Sequence, residues 1–348
     1  MKRLLLLFLT LTICASIIAG CADPAKSTIT TVGTVPFTPI TPTETSMPLT
    51  PTASYITTSS TSGWVFMNLP IQKDDFNGIW GSPPSNIFVV GENEGLARYS
   101  GTILHYDVKT YSRVATGINA LGAVWGSSSS DVFAVGLSDI ILHYDGETWS
   151  AMISGTANLL VGLWGSSPSD VFAVGFGGTI LHYNGKTWST MTSGTTSELF
   201  GIWGSSSTDV FAVGPDGVIL HYDGKAWSNM TSGTTNDLIG IWGSSPADVF
   251  AVGGNYPPGI SDDIILHYDG KTWNTMNSRT TNALKGVWGS SSSDVFAVGL
   301  GGVVLHYDGK VWSNMASGTT NDLFSIWGSS PSNVFAVGHD GTILHYGP

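Results

Sequence analysis

The sequence predicts an all-β fold in which seven small antiparallel sheets stand side by side in a closed ring. This prediction rests first on a stretch such as "WGSSPSDVFAVG", which recurs along the chain with small changes. Most successive copies begin 39 residues apart. Each repeat holds four short runs rich in Val, Ile, Phe, Tyr and Trp, split by Ser, Asp and Gly, which is typical of strands and turns. The seven copies begin at Trp80, Trp125, Trp164, Trp203, Trp242, Trp288 and Trp327.

The second observation concerns the faces of these sheets. Runs such as "VFAV" and "ILHY" do not alternate apolar with polar residues, so both faces of each sheet must be covered. Sheets that stack side by side cover each other, and a closed circle leaves no bare end. A unit of four strands and about 40 residues is typical of one blade of a β-propeller. We therefore predict a seven-bladed β-propeller with four antiparallel strands per blade.

The third observation concerns the ends of the chain. The last repeat stops after three strands at "ILHYGP", and the fourth strand of other repeats contains Trp-x-x-Met, as in Trp188 and Met191. That pattern recurs ahead of the first repeat, at Trp64 and Met67. We predict that this N-terminal strand completes the last blade beside residues 343–346. An open solenoid would instead need polar capping repeats, which the sequence lacks.

The first 62 residues have a different composition. Residues 1–20 have a basic start and an apolar run of about 15 residues, which predicts a secretory signal peptide rather than a membrane span. The signal ends in "IAGC", which resembles the lipobox of bacterial lipoproteins. This resemblance implies cleavage before Cys21 and lipidation of that residue. Residues 21–62 are rich in Thr, Pro and Ser and predict a tether, which leaves residues 63–348 for the propeller.

These segments predict an extracytoplasmic protein held to a membrane by a lipid on Cys21, at the cell surface or in the periplasm. The only cysteines are Cys14 and Cys21, so the propeller contains no disulfide. The net charge is −12 and no basic run is present, which argues against nucleic acid as a partner. We expect a monomer without a cofactor or a metal site.

The turn sequence "YDGKTW", residues 268–273, resembles the Asp-box turn of sialidase-type propellers, although it is one residue shorter and has His where the family has Ser. The longer stretch "VFAVGFGGTILHYNGKTW" also resembles repeats of the photosystem II assembly-factor family and of sialidase-like propellers of bacterial surface proteins. The resemblance covers residues 63–348 as a repeat pattern. It implies the propeller fold and does not supply a matched active site.

Most of the chemically capable side chains recur once per blade, which favours structural roles. Seven of the eight histidines occupy the "LHY" position, and we expect each to bond a neighbouring turn rather than a metal. His339 stands outside this pattern, accessible and alone. All thirteen tryptophans fall at two repeat positions, which predicts packing between blades. The aspartates of "SDVFAVG" are expected to hold their own turns, with calcium binding as the alternative.

The repeats differ most between the second and third strands of two blades. Residues 91–101 of blade 1 and 253–263 of blade 5 are longer than their counterparts and fall on one rim of the ring. Because function concentrates on loops that a rigid scaffold holds, this rim is the predicted ligand-binding site, although tolerated surface insertions would look the same. The candidate residues are Glu92, Glu94, Arg98, Tyr99, Tyr256, Asp262 and Asp263.

No catalytic motif is present, and the three arginines of the mature chain do not fit the convergent cluster that sialidase chemistry needs. We therefore expect a non-catalytic binding or scaffold module for a protein or glycan of the cell envelope. Two alternatives stay open. One is a glycoside hydrolase that uses rim carboxylates, and the other is an assembly factor for a membrane complex.

Overall fold

A computed structural model describes residues 44–46, 63–67, 74–82, 86–93, 100–107, 111–137, 140–255 and 263–347. These residues form seven antiparallel sheets, which confirms the predicted seven-bladed β-propeller. Among the residues placed in the structure, no helix is long and apolar enough to cross a membrane. The predicted signal peptide, Cys21 and most of the predicted tether lie outside the described residues.

The strands follow the repeats closely. Blade 1 contains β3 (Asp74–Ser82), β4 (Asn86–Asn93), β5 (Ser100–Tyr106) and β6 (Tyr111–Asn119), and blade 2 contains β7 (Leu121–Ser128), β8 (Asp131–Gly136), β9 (Ile140–Tyr144) and β10 (Trp149–Ile153). Blade 3 contains β11 (Leu160–Ser167), β12 (Asp170–Gly175), β13 (Ile180–Tyr183) and β14 (Trp188–Met191), and blade 4 contains β15 (Gly201–Ser206), β16 (Asp209–Val213), β17 (Ile219–Tyr222) and β18 (Trp227–Met230).

The remaining blades continue the pattern. Blade 5 contains β19 (Leu238–Ser245), β20 (Asp248–Gly254), β21 (Asp263–Tyr268) and β22 (Trp273–Met276). Blade 6 contains β23 (Leu284–Ser291), β24 (Asp294–Gly299), β25 (Val304–Tyr307) and β26 (Trp312–Met315). Blade 7 contains β27 (Leu323–Ser330), β28 (Asn333–Gly338) and β29 (Ile343–Tyr346). Short 3₁₀ turns at Phe176–Gly178, Pro215–Gly217 and Leu300–Gly302 join the second and third strands of blades 3, 4 and 6.

The chain crosses each blade from its first strand to its fourth, so each strand pairs with its neighbours in sequence. The first strands of neighbouring blades contact each other all the way round, and β27 of blade 7 contacts β3 of blade 1. The first strands therefore surround the axis of the ring, and the fourth strands form its outer wall.

The ring closes as predicted at the junction of the two chain ends. Strand β2 (Trp64–Phe66) is the fourth strand of blade 7 and pairs with β29, with Val65 opposite His345 and Phe66 opposite Leu344. A second N-terminal strand was not predicted. Strand β1 (Glu44–Ser46) belongs to the segment read as a tether, and it pairs with β6 on the outer edge of blade 1.

Packing between blades depends on a tryptophan and a glycine that are adjacent in sequence. The indole of each "WG" tryptophan lies against the glycine of the next blade's "WG" pair, at a place where an added Cβ would come within 2.5 to 2.7 Å of the ring. Glycine is therefore required, because a side chain would occupy the space of the indole. The contact runs through all seven junctions, including Trp327 against Gly81 at the closure.

The second set of tryptophans also packs across blade junctions. In six cases the Trp of a fourth strand stands edge-on to the Phe of the preceding blade's second strand, with ring centroids 6.0 to 6.4 Å apart. Edge-to-face aromatic pairs at this distance are favourable beyond the area they bury. Trp64 makes this contact with Phe296, so the N-terminal strand packs into blade 6 as well as pairing with blade 7.

The repeated histidines are structural, as predicted. Each lies on a third strand and stacks against the Phe of the second strand at 4.1 to 4.6 Å. Its Nε2 reaches the Asp that begins the second strand at 2.7 Å in five blades, and an Asn in blades 1 and 7. The same aspartates accept a bond from a Ser hydroxyl four residues earlier. The sequence pattern did not predict that these histidines and aspartates would bond to each other. The structure shows that they form hydrogen-bonded pairs.

The closing strand can be tested against an internal equivalent. We expect Trp64→Ala and Trp312→Ala each to lower the free energy of unfolding by about 3–5 kcal/mol, because each removes a buried indole from the same inter-blade contact. Urea unfolding measures the change. Ile153→Ala is the control, because that side chain is 89 % exposed. A Trp64→Ala variant as stable as the control would contradict the closure.

Candidate functional site

The turns between second and third strands share one end of the ring with the connections between blades. Backbone hydrogen bonds show this: the N–H of Leu199 donates to the carbonyl of Gly175, and the N–H of Gly217 donates to the carbonyl of Asn236. We call this end the loop face. The described ends of the two long loops lie at this face: the side-chain amide of Asn93 donates to Asp74, and that of Asn255 accepts the N–H of Asp237 in a blade connection.

Two of the predicted site residues are described. Glu92 is buried, 5 % exposed, and pairs with Gly101 in the β4–β5 ladder. Asp263 begins β21 in blade 5, and its carboxylate accepts a hydrogen bond from the hydroxyl of Ser278. Blades 6 and 7 separate the two on the shorter way round the ring. Glu94, Arg98, Tyr99, Tyr256 and Asp262 lie outside the described residues.

A set of residues that the sequence analysis missed surrounds the axis at the loop face. In six blades a β-bulge near the start of the first strand displaces one residue from the ladder, and Phe200 takes the corresponding place in blade 4. β-Bulges re-aim side chains and are common beside functional sites. All seven residues are half-buried. This set, which we call the axial ring, contains Asn77, Gly122, Val161, Phe200, Ile239, Lys285 and Phe324.

The axial ring differs from blade to blade, whereas its flanking residues repeat. The next residue along the strand is small in every blade, because the neighbouring first strand lies very close: a Cβ on Gly201 would come within 2.6 Å of the carbonyl oxygen of Ile239. The bulge position is free of this constraint and carries four apolar side chains, one lysine, one asparagine and one glycine. The sequence did contain a signal, namely a residue of variable type inside the pattern "L-x-G-x-W-G". Blades 3 to 6 share this pattern, and blades 1, 2 and 7 each depart from it at one position, with Phe76, Ala123 and Ser325.

Lys285 is the cationic member of the axial ring. Burial among the first strands lowers the pKa of its ammonium group to about 8, and the nearby carboxylates of Asp322 and Asp237 oppose this shift. Those aspartates also hold turns of the preceding blades: Asp322 accepts the N–H of Gly301 at 2.7 Å, and Asp237 accepts that of Asp216 at 3.2 Å. The lysine therefore stands between two fixed anions at the entrance to the axis.

The junction of blades 7 and 1 carries a denser polar cluster. The guanidinium of Arg113, on the outer strand of blade 1, lies 2.9 Å from the buried carboxylate of Asp74. Burial raises the pKa of Asp74, and Arg113 opposes that rise. His339 was expected to be alone, and this was wrong: its Nδ1 lies 3.2 Å from Asp340 and its Nε2 lies 3.6 Å from Asp75. The sequence could not show the contact with Asp75, because that residue comes from the opposite end of the propeller sequence.

An open depression of about 570 Å³ lies on the loop face of blade 6. Its walls are the turn at Gly301–Val304 and the segment 314–320. These residues include no ionisable side chain, so the depression offers neither an acid nor a base for general catalysis.

The architecture defines the chain as a seven-bladed β-propeller. No protein-family model and no curated protein matches its sequence. Solved structures share the fold. A structure described as YCF48 bound to D1 peptide has a TM-score of 0.66 at 15 % identity, covering 83 % of this chain and 97 % of its own. YCF48 from Cyanidioschyzon merolae has a TM-score of 0.65 at 16 % identity, covering 82 % of this chain and 99 % of its own.

A third similar structure is a catalytically inactive virginiamycin B lyase from Staphylococcus aureus with Quinupristin. Its TM-score is 0.64 at 10 % identity, and it covers 82 % of this chain and 99 % of its own. One of these propellers is described with a peptide and another as an inactive lyase, so the shared fold serves different activities. At these identities the likeness shows the fold of this chain, including the predicted propeller repeats, and its activity must be argued from its own residues.

The position of Lys285 predicts a pH-dependent stability. Its pKa is about 8 when folded and 10.5 in its ordinary state, so between these values the unfolded chain binds more protons and stability rises with pH. Below pH 8 the cost of burying the charge is fully present. Lys285→Met should therefore raise the free energy of unfolding at pH 7 by up to about 3 kcal/mol, with the gain vanishing near pH 10.5.

Urea unfolding at pH 7, 8.5 and 10.5 measures this difference. Lys310→Met, at an exposed hairpin turn on the opposite face, is the matched control and should show no such trend. A Lys285→Met gain that stayed constant across the three pH values would contradict the placement of the ammonium group.

Proposed function

We propose that the protein is a lipid-anchored, extracytoplasmic binding module that captures a polypeptide segment of a cell-envelope protein on its axial ring. The observation that carries this proposal is the composition of that ring: Val161, Ile239 and Phe324 are half-buried apolar side chains on first strands, and half-buried Phe200 directly precedes β15. Apolar and aromatic groups at the centre of a contact surface supply most of the affinity of protein interfaces. The propeller described with a bound peptide supports a polypeptide as the occupant.

The charges around the axial ring indicate the chemistry of the partner. The residue before the buried start of the first strand is acidic in four blades, and the four side chains are half-buried rather than exposed: Asp75, Glu198, Asp237 and Asp322. Complementary charge steers association and rejects wrong partners. The preferred segment therefore carries an apolar residue flanked by Lys or Arg.

The described side chains support binding more than catalysis. The seven repeated histidines and the aspartates of the second strands are occupied in holding the blades. A glycoside hydrolase needs two carboxyl groups about 5–10 Å apart at the substrate. Of the four carboxylates considered for this reaction, Glu92 is buried in blade 1 and Asp263 is bonded to Ser278 in blade 5.

The axial ring can be tested by substitutions that the repeats themselves accept. Phe200→Asn with Phe324→Asn places at both positions the residue that blade 1 has at Asn77, so the fold should persist. We expect immobilised residues 22–348 to capture a polypeptide from envelope extract, and the double variant to lose at least nine-tenths of it. Val311→Thr, on the opposite face, is the control and matches the Thr of other blades.

Equal capture by the double variant and the control would reject the axial ring. The same samples on a glycan array decide the nature of the ligand: binding of glycans without any polypeptide would replace the protein partner by a carbohydrate. If deletion of residues 94–99 abolishes capture and the axial-ring variants still capture the polypeptide, the binding site lies on the predicted rim loops instead.

The anchor has a separate test. We expect the wild-type chain, expressed in bacteria, to fractionate with membranes and to incorporate a fatty-acid label. Cys21→Ser should abolish the label and release the protein, because the thiol that carries the lipid is gone. Cys14→Ser, within the predicted signal, is the control and should behave as wild type. A labelled or membrane-retained Cys21→Ser chain would contradict the lipidation.

A further inference from the structure

We propose that the junction of blades 7 and 1 binds a divalent transition-metal ion through His339, Asp340 and Asp75. One imidazole nitrogen and one oxygen from each carboxylate lie within 4.8 Å of one another. His339 and Asp340 belong to the turn between the second and third strands of blade 7, and Asp75 belongs to the first strand of blade 1. The three ligands thus come from both sides of the closure.

Three junctions with the same backbone form a series that differs in its ligands. At the junction of blades 6 and 7, the N–H of Gly301 donates to Asp322. Asp322 is the one carboxylate among the three equivalent positions, because the other two are Leu300 and Gly301. At blades 4 and 5, the N–H of Asp216 donates to Asp237, so two carboxylates are present and the residue before Asp216 is proline.

At blades 7 and 1, the N–H of Asp340 donates to Asp75 at 3.0 Å, and the preceding residue is His339. Asp216 and Asp340 have almost the same backbone, with φ of 54° and 53°. The imidazole is therefore an addition to a scaffold that already holds two carboxylates without it. Neither the fold nor the turn requires it.

The setting suits a cation. The carboxylates of Asp75 and Asp340 supply the negative charge of the cluster. The charge of the adjacent Asp74 is balanced by the guanidinium of Arg113, which lies 2.9 Å away. The side chains of His339 and Asp75 are 29 % and 16 % exposed, and that of Asp340 is 56 % exposed, so an ion can enter from solvent and Asp340 can rotate to meet it. The ligand atoms must move closer together for each to reach about 2.1 Å from one ion, and rotation of the exposed Asp340 side chain allows this.

The ligand set selects the class of metal. One imidazole nitrogen with two carboxylate oxygens suits Zn²⁺ and its neighbours in the first transition row, whereas Ca²⁺ and Mg²⁺ prefer oxygen alone. Three protein ligands leave coordination positions for water or for an acidic group of a partner. Since the ion bridges the two ends of the propeller, its binding also stabilises the closed ring by linkage.

The test uses untagged residues 22–348, stripped with chelator and titrated with ZnCl₂ by calorimetry, with CaCl₂ and MgCl₂ in parallel. We expect one Zn²⁺ per chain at the junction, a higher Tm with zinc, and no comparable response to calcium or magnesium. His339→Leu places there the residue that blade 6 has at Leu300, so the turn should persist. It should weaken zinc binding tenfold or more and remove the zinc-dependent rise in Tm.

Asp216→Asn is the matched control at the junction without an imidazole, and it should bind zinc as wild type does. The proposal is overturned if wild type binds no zinc, if His339→Leu binds it as wild type does, or if Asp216→Asn loses as much affinity as Asp340→Asn. Circular dichroism without metal confirms that each variant is folded. The axial-ring variants do not touch these ligands, so this result and the capture experiment succeed or fail independently.

Discussion

The contact between each "WG" tryptophan and the glycine of the next blade is the constraint on which the ring depends. The indole fills the space that a Cβ of the next blade would occupy. Each blade must therefore present both a tryptophan and a glycine, and the "WG" dipeptide supplies the two. A chain of such contacts has a free tryptophan at one end and an uncovered glycine at the other. Only closure satisfies both, and Trp327 against Gly81 provides it. Protein interiors are too densely packed to leave either group unmatched.

Near-identical blades have a consequence for function. A histidine that recurs in every blade is held at the equivalent position in every blade, by an Asp in five blades and by an Asn in blades 1 and 7. Chemistry specific to this protein must arise where the repeats differ. The structure places two such differences on the loop face: the axial ring, where the bulge frees one side chain per blade from the packing, and the junction of blades 7 and 1, where a histidine replaces residues such as Pro215.

The carboxylates of the loop face connect these two places. Asp75, Asp237 and Asp322 each accept a backbone N–H from a turn of the preceding blade, so their positions are set by the fold. Anions held in this way do not need to reorganise on binding a cationic group, which lowers the cost of association. The same kind of side chain therefore holds two neighbouring blades together, favours the charged form of Lys285, and offers negative charge to a basic segment or a metal ion.

The sequence by itself determined the four strands of each blade, the number of blades and the closing strand, because each depends on a local pattern that the repeats share, whereas strand β1 lies outside that pattern. It also indicated that the common histidines and tryptophans serve packing. The tertiary structure alone decided which different residues meet. Asp340 and Asp75 are 265 residues apart in the chain and are joined only because the ring closes. Lys285 meets Asp237 and Asp322 because three consecutive blades bring their first strands together at the axis. Strand spacing within one repeat carries no record of these contacts, since they follow from the curvature and closure of the whole ring.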